Sequence, residues 1–385
     1  MIANNPFVDA IWEVQQTDHN QTAEVWTAFE REARRRKEIG EFDKIFFTQI
    51  PPNNFENYDG TSRSSLFRGY PHPIRVPVQP VVRLAQTEVG AVSKFVATHG
   101  LGPSDIIILM EAASSSGQSF VTPEYALRAA EIALRADHDL KFILSSDKKI
   151  ESRNHNIIDG SALTLRENAE LTKYCTLLVG SSSAISWIAT SDWAKPLPQI
   201  QLLRKNTRMY ASMLQDAKYF GLPTENILEV VDVSPQETAD MIISVVALGF
   251  AQTRSLYQRN IPLKFDFYLS QIYHELLKKR QYQKAAQAIS CAFQRYSYDV
   301  AGRHELARAF QHILTPYLHL MWNRLTESER AAFVALGYKT TRNALAGGKW
   351  RSFLQLCIFA LGGTNYRIAR LLVLNVINEH LGMNS

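Results

Sequence analysis

Ser181, Ser182 and Ser183 follow Gly180 at the end of an apolar run over residues 174–179, and Ile185, Ile188 and Ala189 then recur at i, i+3 and i+4. That spacing predicts a strand, a tight turn and a helix. In a parallel sheet such a turn lies at a strand's carboxyl end and a helix's start, where free backbone N–H groups and the helix dipole favour an anion. Two readings are open: a cradle for phosphate, or a glycine turn whose serines only cap a helix. Two further predicted strands end in the same chemistry. Residues 105–110 (DIIILM) run into 111–120 (EAASSSGQSF), which carries Glu111, Ser116, Gly117, Gln118 and Ser119, and residues 141–144 run into Ser145 and Ser146. Carboxyl ends of parallel strands share one sheet edge, where ligands bind in such folds, and three serine-bearing turns on one edge favour the phosphate reading. The glycine patterns of redox dinucleotide and P-loop sites are missing, which disfavours both.

The elements that must position these turns alternate strand and helix from residue 105 to about 250, the pattern of a doubly wound α/β domain. Thr122 with Pro123 predicts the start of a helix over 124–136, and Thr164 with Glu167 reads as a capping box for a helix over 165–174. A helix over 88–99 precedes the first strand, and residues 156–159 read as the end of a connection. Upstream, residues 8–12 and 42–49 read as strands around a polar helix over 22–39. Residues 50–73 are dense in Asn, Pro, Gly, Tyr and Arg. They suit a recognition loop for a hydroxyl-rich ligand, with Asn57, Tyr58, Arg63 and Arg68 as contacts, or an irregular surface connection. Residues 71–80 hold four prolines, which excludes a central strand and marks the lead into a linker. After residue 249, helices are predicted over 267–296, 305–322, 327–345 and 353–381.

The 385 residues, 46% of them hydrophobic, suffice for two or three domains with real cores. Cys175, Cys291 and Cys357 sit among apolar neighbours without metal-ligand spacing, so a disulfide framework or zinc site is not expected. A cytoplasmic setting is expected, for want of a signal-peptide pattern and of any apolar run near the ~20 residues that span a bilayer. The net charge of +5 is uneven: residues 260–385 hold 16 Lys and Arg against 7 Asp and Glu, leaving 26 against 30 for residues 1–259. Scattered cations on solvated helix faces account for this tail; peripheral contact with the inner face of an anionic membrane is the alternative, and nucleic acid is not expected as a partner.

The opening NNPFVD, the proline-rich crossover, the serine loop after a strand, the helix with Leu-x-Leu-Arg-Glu and finally LLVGSSSAISWIA resemble, in that order, the heptosyltransferase-like GT-B glycosyltransferases. The similarity spans roughly residues 1–250. It implies a GT-B-like pair of Rossmann-like domains followed by an α-helical C-terminal region: a truncated acceptor domain over 1–80, a donor domain over 81–255 and helices over 256–385. The resemblance implies a metal-independent transferase without a cofactor, acting on a nucleotide-diphosphate sugar and a glycan or lipid-linked acceptor. Donor roles would fall to Ser116, Gly117, Gln118, Ser119, Ser145, Arg166, Glu167, Gly180, Ser181, Ser182 and Ser183, and acceptor roles to Asn57, Tyr58 and Arg63. The family carries Asp-Ser-Gly and a following His where this chain has Ser181–Ser183 and Trp187, and its first strand and Gly-Asp loop, with the usual base, would precede Met1. Candidates for that base here are Glu111, Asp59, Glu56 and His72; Glu111 is the best placed, and capping the turn is its structural alternative. A nucleotide-sugar epimerase and a non-catalytic scaffold acting through the helical tail are the competing functions.

Overall fold

The computed structural model describes residues 4–11, 22–48, 50, 53–61, 63–68, 70, 72, 74, 76, 78–112, 119–206, 211–259, 264–295 and 327. In chain order its elements are α1 (Thr22–Glu38), 3-10 turns at Phe55–Asn57 and Ser64–Phe67, α2 (Gln86–Thr98), β1 (Ile107–Glu111), α3 (Pro123–Ala136), β2 (Lys141–Ser145), β3 (Ile157–Asp159), α4 (Glu167–Leu171), β4 (Leu177–Gly180), α5 (Ala184–Ile188), β5 (Gln199–Leu203), α6 (Met213–Phe220), β6 (Ile227–Val231), α7 (Pro235–Leu248), α8 (Phe250–Tyr257), α9 (Asp266–Ile272) and α10 (Tyr282–Arg295). They fall into two compact units, Met1–Gln15 with Pro73–Ile261, and Gln16–His72 with Pro262–Ser385.

The first unit is an α/β domain built on six parallel strands in the order β3-β2-β1-β4-β5-β6. The apolar run of β1 is buried on both faces, and its alternation divides the core. Ile108 and Met110 pack with α3 and α7 residues such as Ala126, Ala130, Met241 and Ile242. Ile107 and Leu109 pack on the opposite face with Val92, Phe95 and Val96 of α2 and with Leu171. Side chains of this size contribute ~1.5–3 kcal/mol each when fully buried, so the two layers hold the sheet between them.

Local signals set the helix starts. Thr122 Oγ1 accepts from Tyr125 N at 3.2 Å with Pro123 in the first turn, and Ser234 and Glu237 form a reciprocal capping box ahead of α7. The Tyr125 hydroxyl donates to the Val233 carbonyl at 2.9 Å and meets Thr238 Oγ1 at 2.7 Å, tying α3 to α7, and burial pushes its pKa up to about 12.

Several expectations shift. The first strand begins at Ile107 rather than 105, because the Asp105 carboxylate accepts from Gly102 N–H and pairs with Lys141, closing a turn. Residues 157–159, expected to end a connection, pair with β2 as the edge strand; three residues are too few to show a period. The predicted 165–174 helix is present as α4 followed by a 3-10 turn at Thr172–Tyr174.

The second unit, by itself, is helical among its described residues. Residues 42–48, expected as a strand, are irregular, so residues 22–72 supply α1 and two 3-10 turns and no described part of a Rossmann-like half-domain. The expected domain boundary after residue 80 falls inside the first unit, whose second segment starts at Pro73 within the proline-rich stretch. The helix expected over 267–296 is broken: α9 passes into a π-helical turn at Tyr273–Leu277, and Arg280, at φ 58°, reverses the chain before α10. Beyond residue 295 the predicted helices lie outside the described residues. Among the described residues no helix is long and apolar enough to cross a membrane.

Candidate functional site

The sheet order reverses between β1 and β4: strands run β1-β2-β3 to one side and β4-β5-β6 to the other. At such a switch point the connections leave the sheet in opposite directions and open a crevice at the strand carboxyl ends. Register brings a row of polar positions to that edge. Ser145 pairs with Glu111, Gly180 with Gln201, and Gln201 with Glu229, while Glu111 and Gly180 come one step after the paired Met110 and Val179. Alternation puts the whole row on the face shared by Ile107, Leu109, Ile143 and Leu178.

Glu111 is 2% exposed, and three donors reach its carboxylate. Ser181 N–H donates to Oε2 at 3.0 Å, Ser186 Oγ donates to Oε2 at 3.3 Å, and Ser183 Oγ makes a short contact with Oε1. Ser183 also caps α5, accepting from Ile185 N. Gln201 continues the network: its Oε1 accepts from Ser182 N–H at 2.7 Å and shares the Ser186 hydroxyl with Glu111, 3.3 Å from its Oγ, and its Nε2 donates to Gln199 Oε1 at 3.0 Å. Burying a carboxylate and two amides in an apolar sheet is tolerable because each is hydrogen-bonded. Ser182 holds a left-handed backbone at φ 54°, which costs an L-residue about 1–2 kcal/mol. A Cβ on Gly180 would collide with Ser186 Oγ and approach Gln201 at 3.0 Å, so glycine is required for close approach rather than for a special φ. Ser181 Oγ is fully buried and has no partner among the described residues.

The turn therefore brings Glu111 together with Ser181, Ser182 and Ser183, as the strand ends predict. It does so with a particular chemistry. The place before α5 that would suit an anion is taken by the protein's own carboxylate, and Glu111 caps the turn.

The other expected donor residues are tied locally. Ser119 Oγ donates to the Leu202 carbonyl at 2.7 Å, and its own carbonyl accepts from Arg204 Nε. Ser145 Oγ donates to Asn168 Oδ1 at 3.0 Å. Arg166 pairs with Glu88 at 2.7 Å and donates to the Arg83 carbonyl, clamping the entry of α2; its guanidinium holds the Glu88 carboxyl below the usual range. Glu167 accepts from Thr164 N–H at 2.6 Å while Thr164 Oγ1 accepts from Glu167 N–H, the expected capping box. Ser116, Gly117 and Gln118 lie outside the described residues.

The acceptor-side candidates belong to the helical unit. Asn57 Oδ1 accepts from Gln287 at 3.2 Å, Tyr58 packs its ring 5.2 Å from that of Tyr268, and Arg63 leads into the 3-10 turn at Ser64–Phe67. Asp59, fully buried, accepts from Thr61 N–H and the Thr61 and Ser65 hydroxyls, and pairs with Arg68 at 3.3 Å. Arg68 donates onward to Gln294 and the Cys291 carbonyl. Glu56 pairs with Lys284 at 3.2 Å, and His72 meets Lys44 at 3.3 Å. These contacts are internal to the unit and make Asp59 a knot of its loop.

Sequence reasoning missed Ser186, Gln199, Gln201, Ser212 and Glu229. Glu229 accepts from Ser212 Oγ at 2.8 Å and Leu214 N–H at 2.8 Å at the start of α6. The available signal was a polar residue at alternate places in otherwise apolar runs, QIQLL and ILEVV. Burial pushes the Cys175 thiol up to about 12, so it carries no nucleophile at neutral pH. Among the described residues no group of three or more His, Cys, Asp or Glu could hold a metal. In comparisons with known proteins, no family model, curated protein or solved structure matches the chain.

Proposed function

We propose that the α/β domain binds a nucleoside diphosphate sugar across its carboxyl edge and that the chain is a metal-independent glycosyltransferase. One observation carries this reading: the 3-2-1-4-5-6 strand order puts the serine-bearing turn after β4 at the switch point, beside the end of β1. Moving a sugar from such a donor needs dipoles that solvate a departing diphosphate and a crevice that orients it. On this reading Glu111 orients the turn rather than taking the acceptor's proton, since its carboxylate is buried and already engaged by Ser181 N–H and the Ser186 hydroxyl. The acceptor would be a glycan or lipid-linked hydroxyl, and contact with an anionic membrane surface would fall to the basic residues beyond 260.

A second reading, a non-catalytic binding or scaffold protein, is favoured by one specific fact: Glu111 already takes Ser181 N–H and the hydroxyls of Ser183 and Ser186. A thermal-shift screen of the full chain against UDP, GDP, ADP, CMP and dTDP tests both, because a ligand that binds only the folded state raises its melting temperature. A selective shift, followed by release of that nucleotide from its sugar conjugate in the presence of acceptor, supports the transferase. A shift without release supports a binding module. No shift with any nucleotide removes the donor site.

A further inference from the structure

A cleft of about 440 Å³ lies on the α/β domain between α3 and the connection from β2 to β3. Its walls come from the last half of α3 and from residues that directly precede β3, which places it toward the amino edge of the sheet, away from the serine turns. Leu127, Glu131, Leu134 and Arg135 fall at i, i+4, i+7 and i+8 on one helix face; Glu151 and Arg153 stand across from them. The two leucines form an apolar floor that continues the domain core.

The charges around the cleft are not balanced. Glu131 is paired with Arg128 at 3.6 Å and Glu151 with Lys149 at 3.1 Å. Arg135 and Arg153 are exposed and have no ion pair or side-chain hydrogen bond among the described residues. Both acidic walls are thus neutralised from outside, while two guanidinium groups remain uncommitted at the mouth of an apolar-floored cleft. A guanidinium presents a fork of donors that matches carboxylate or phosphate oxygens, and a volume of this size suits a small organic ligand. We infer that this cleft is a second binding site, for an organic anion whose carboxylate or phosphate meets Arg135 and Arg153 and whose apolar body rests on Leu127 and Leu134.

The test is calorimetric titration of the full chain with phenyl phosphate, benzoate and inorganic phosphate. Saturable binding of one aromatic anion, tighter than that of inorganic phosphate, supports the site, and the preferred one identifies the head group. Arg135→Ala and Arg153→Ala, both at exposed positions, should each weaken binding about tenfold. Lys148→Ala, exposed on the β2–β3 connection but outside the cleft, should leave the affinity unchanged. Absence of saturable binding overturns the inference. So does an equal loss in Lys148→Ala, which would mark diffuse attraction to a cationic surface.

Discussion

Two buried glutamates of the sheet do the same job in different ways. Glu111 closes β1 and Glu229 lies in β6; both point to the same face, and each accepts a serine hydroxyl and a backbone N–H at the start of the next helix in space. At Glu229 the arrangement is a relaxed cap: Ser212 takes Gln215 N–H while both its contacts to Glu229 are of ordinary length. At Glu111 the same device sits on a left-handed serine, a glycine pressed against a hydroxyl, and a serine Oγ with no partner among the described residues. A fold that supplies its own anion to a helix start needs no ligand there. Left-handed residues occur elsewhere, Asp232 just past β6 among them. At the switch point, however, a left-handed serine adjoins a buried hydroxyl that has no partner among the described residues, and constraint unexplained by packing points to function there.

The largest effect that tests this contrast is expected at the relaxed cap. Glu229→Ala leaves Ser212 Oγ and Leu214 N–H buried without their acceptor, and hydrogen bonds to a charged group contribute about 1.5–3 kcal/mol each, so a loss of roughly 3 kcal/mol is expected in urea unfolding. A loss under 1 kcal/mol would show that the cap is not structural. Glu111→Gln keeps the shape and an acceptor oxygen while its amide opposes Ser181 N–H or the hydroxyls, and should cost about 1–2 kcal/mol. Equal costs at the two sites in matched Gln variants would erase the distinction drawn between them.

Cys175 gives a local reading of the same difference, because its buried thiol lies two residues before β4. The folded value of about 12 lies above the ordinary value of 9.0. The neutral thiol's contribution to stability is therefore complete below pH 9 and is lost as pH rises toward 12. In a background lacking Cys291 and Cys357, thiol labelling of the native protein at pH 8 should report only opening of this strand. Glu111→Gln should speed it severalfold, and Glu229→Gln should leave it near the parent rate once both are compared at equal global stability. The reverse order would place the weak point at β6.

Much of the sheet was legible because its signals are local. DIIILM reads as a strand buried on both faces, and its last four residues open β1, while Thr122-Pro123 and Thr164 with Glu167 announce their helices by side-chain capping. The turn at Gly180 was legible as strand, turn and helix, and Glu111 as a residue at the end of another strand on the same sheet edge. What was hidden is register. That Gln201 lies beside Gly180 and Glu229 beside Gln201 depends on pairing between strands distant in sequence, and no periodicity within QIQLL or ILEVV carries it. The helical unit was misread for a related reason. FDKIFFT has the apolar alternation of a strand, yet pattern alone supplies no neighbour to pair with, and the segment stays irregular.

Ser182→Gly is the smallest change and the sharpest. A left-handed φ of 54° strains serine, and glycine relieves that strain while adding chain entropy to the unfolded state. The Ser182 contact with Gln201 is made by the backbone N–H, which glycine retains. A gain of up to about 1 kcal/mol in unfolding free energy is expected. If the strained turn serves ligand binding, the stabilised variant should bind the nucleotide found by the thermal-shift screen less well, since a side chain and a fixed backbone are both given up. A variant that is more stable and binds equally would show that the strain at the switch point is incidental, and that the two glutamate caps differ in comfort rather than in purpose.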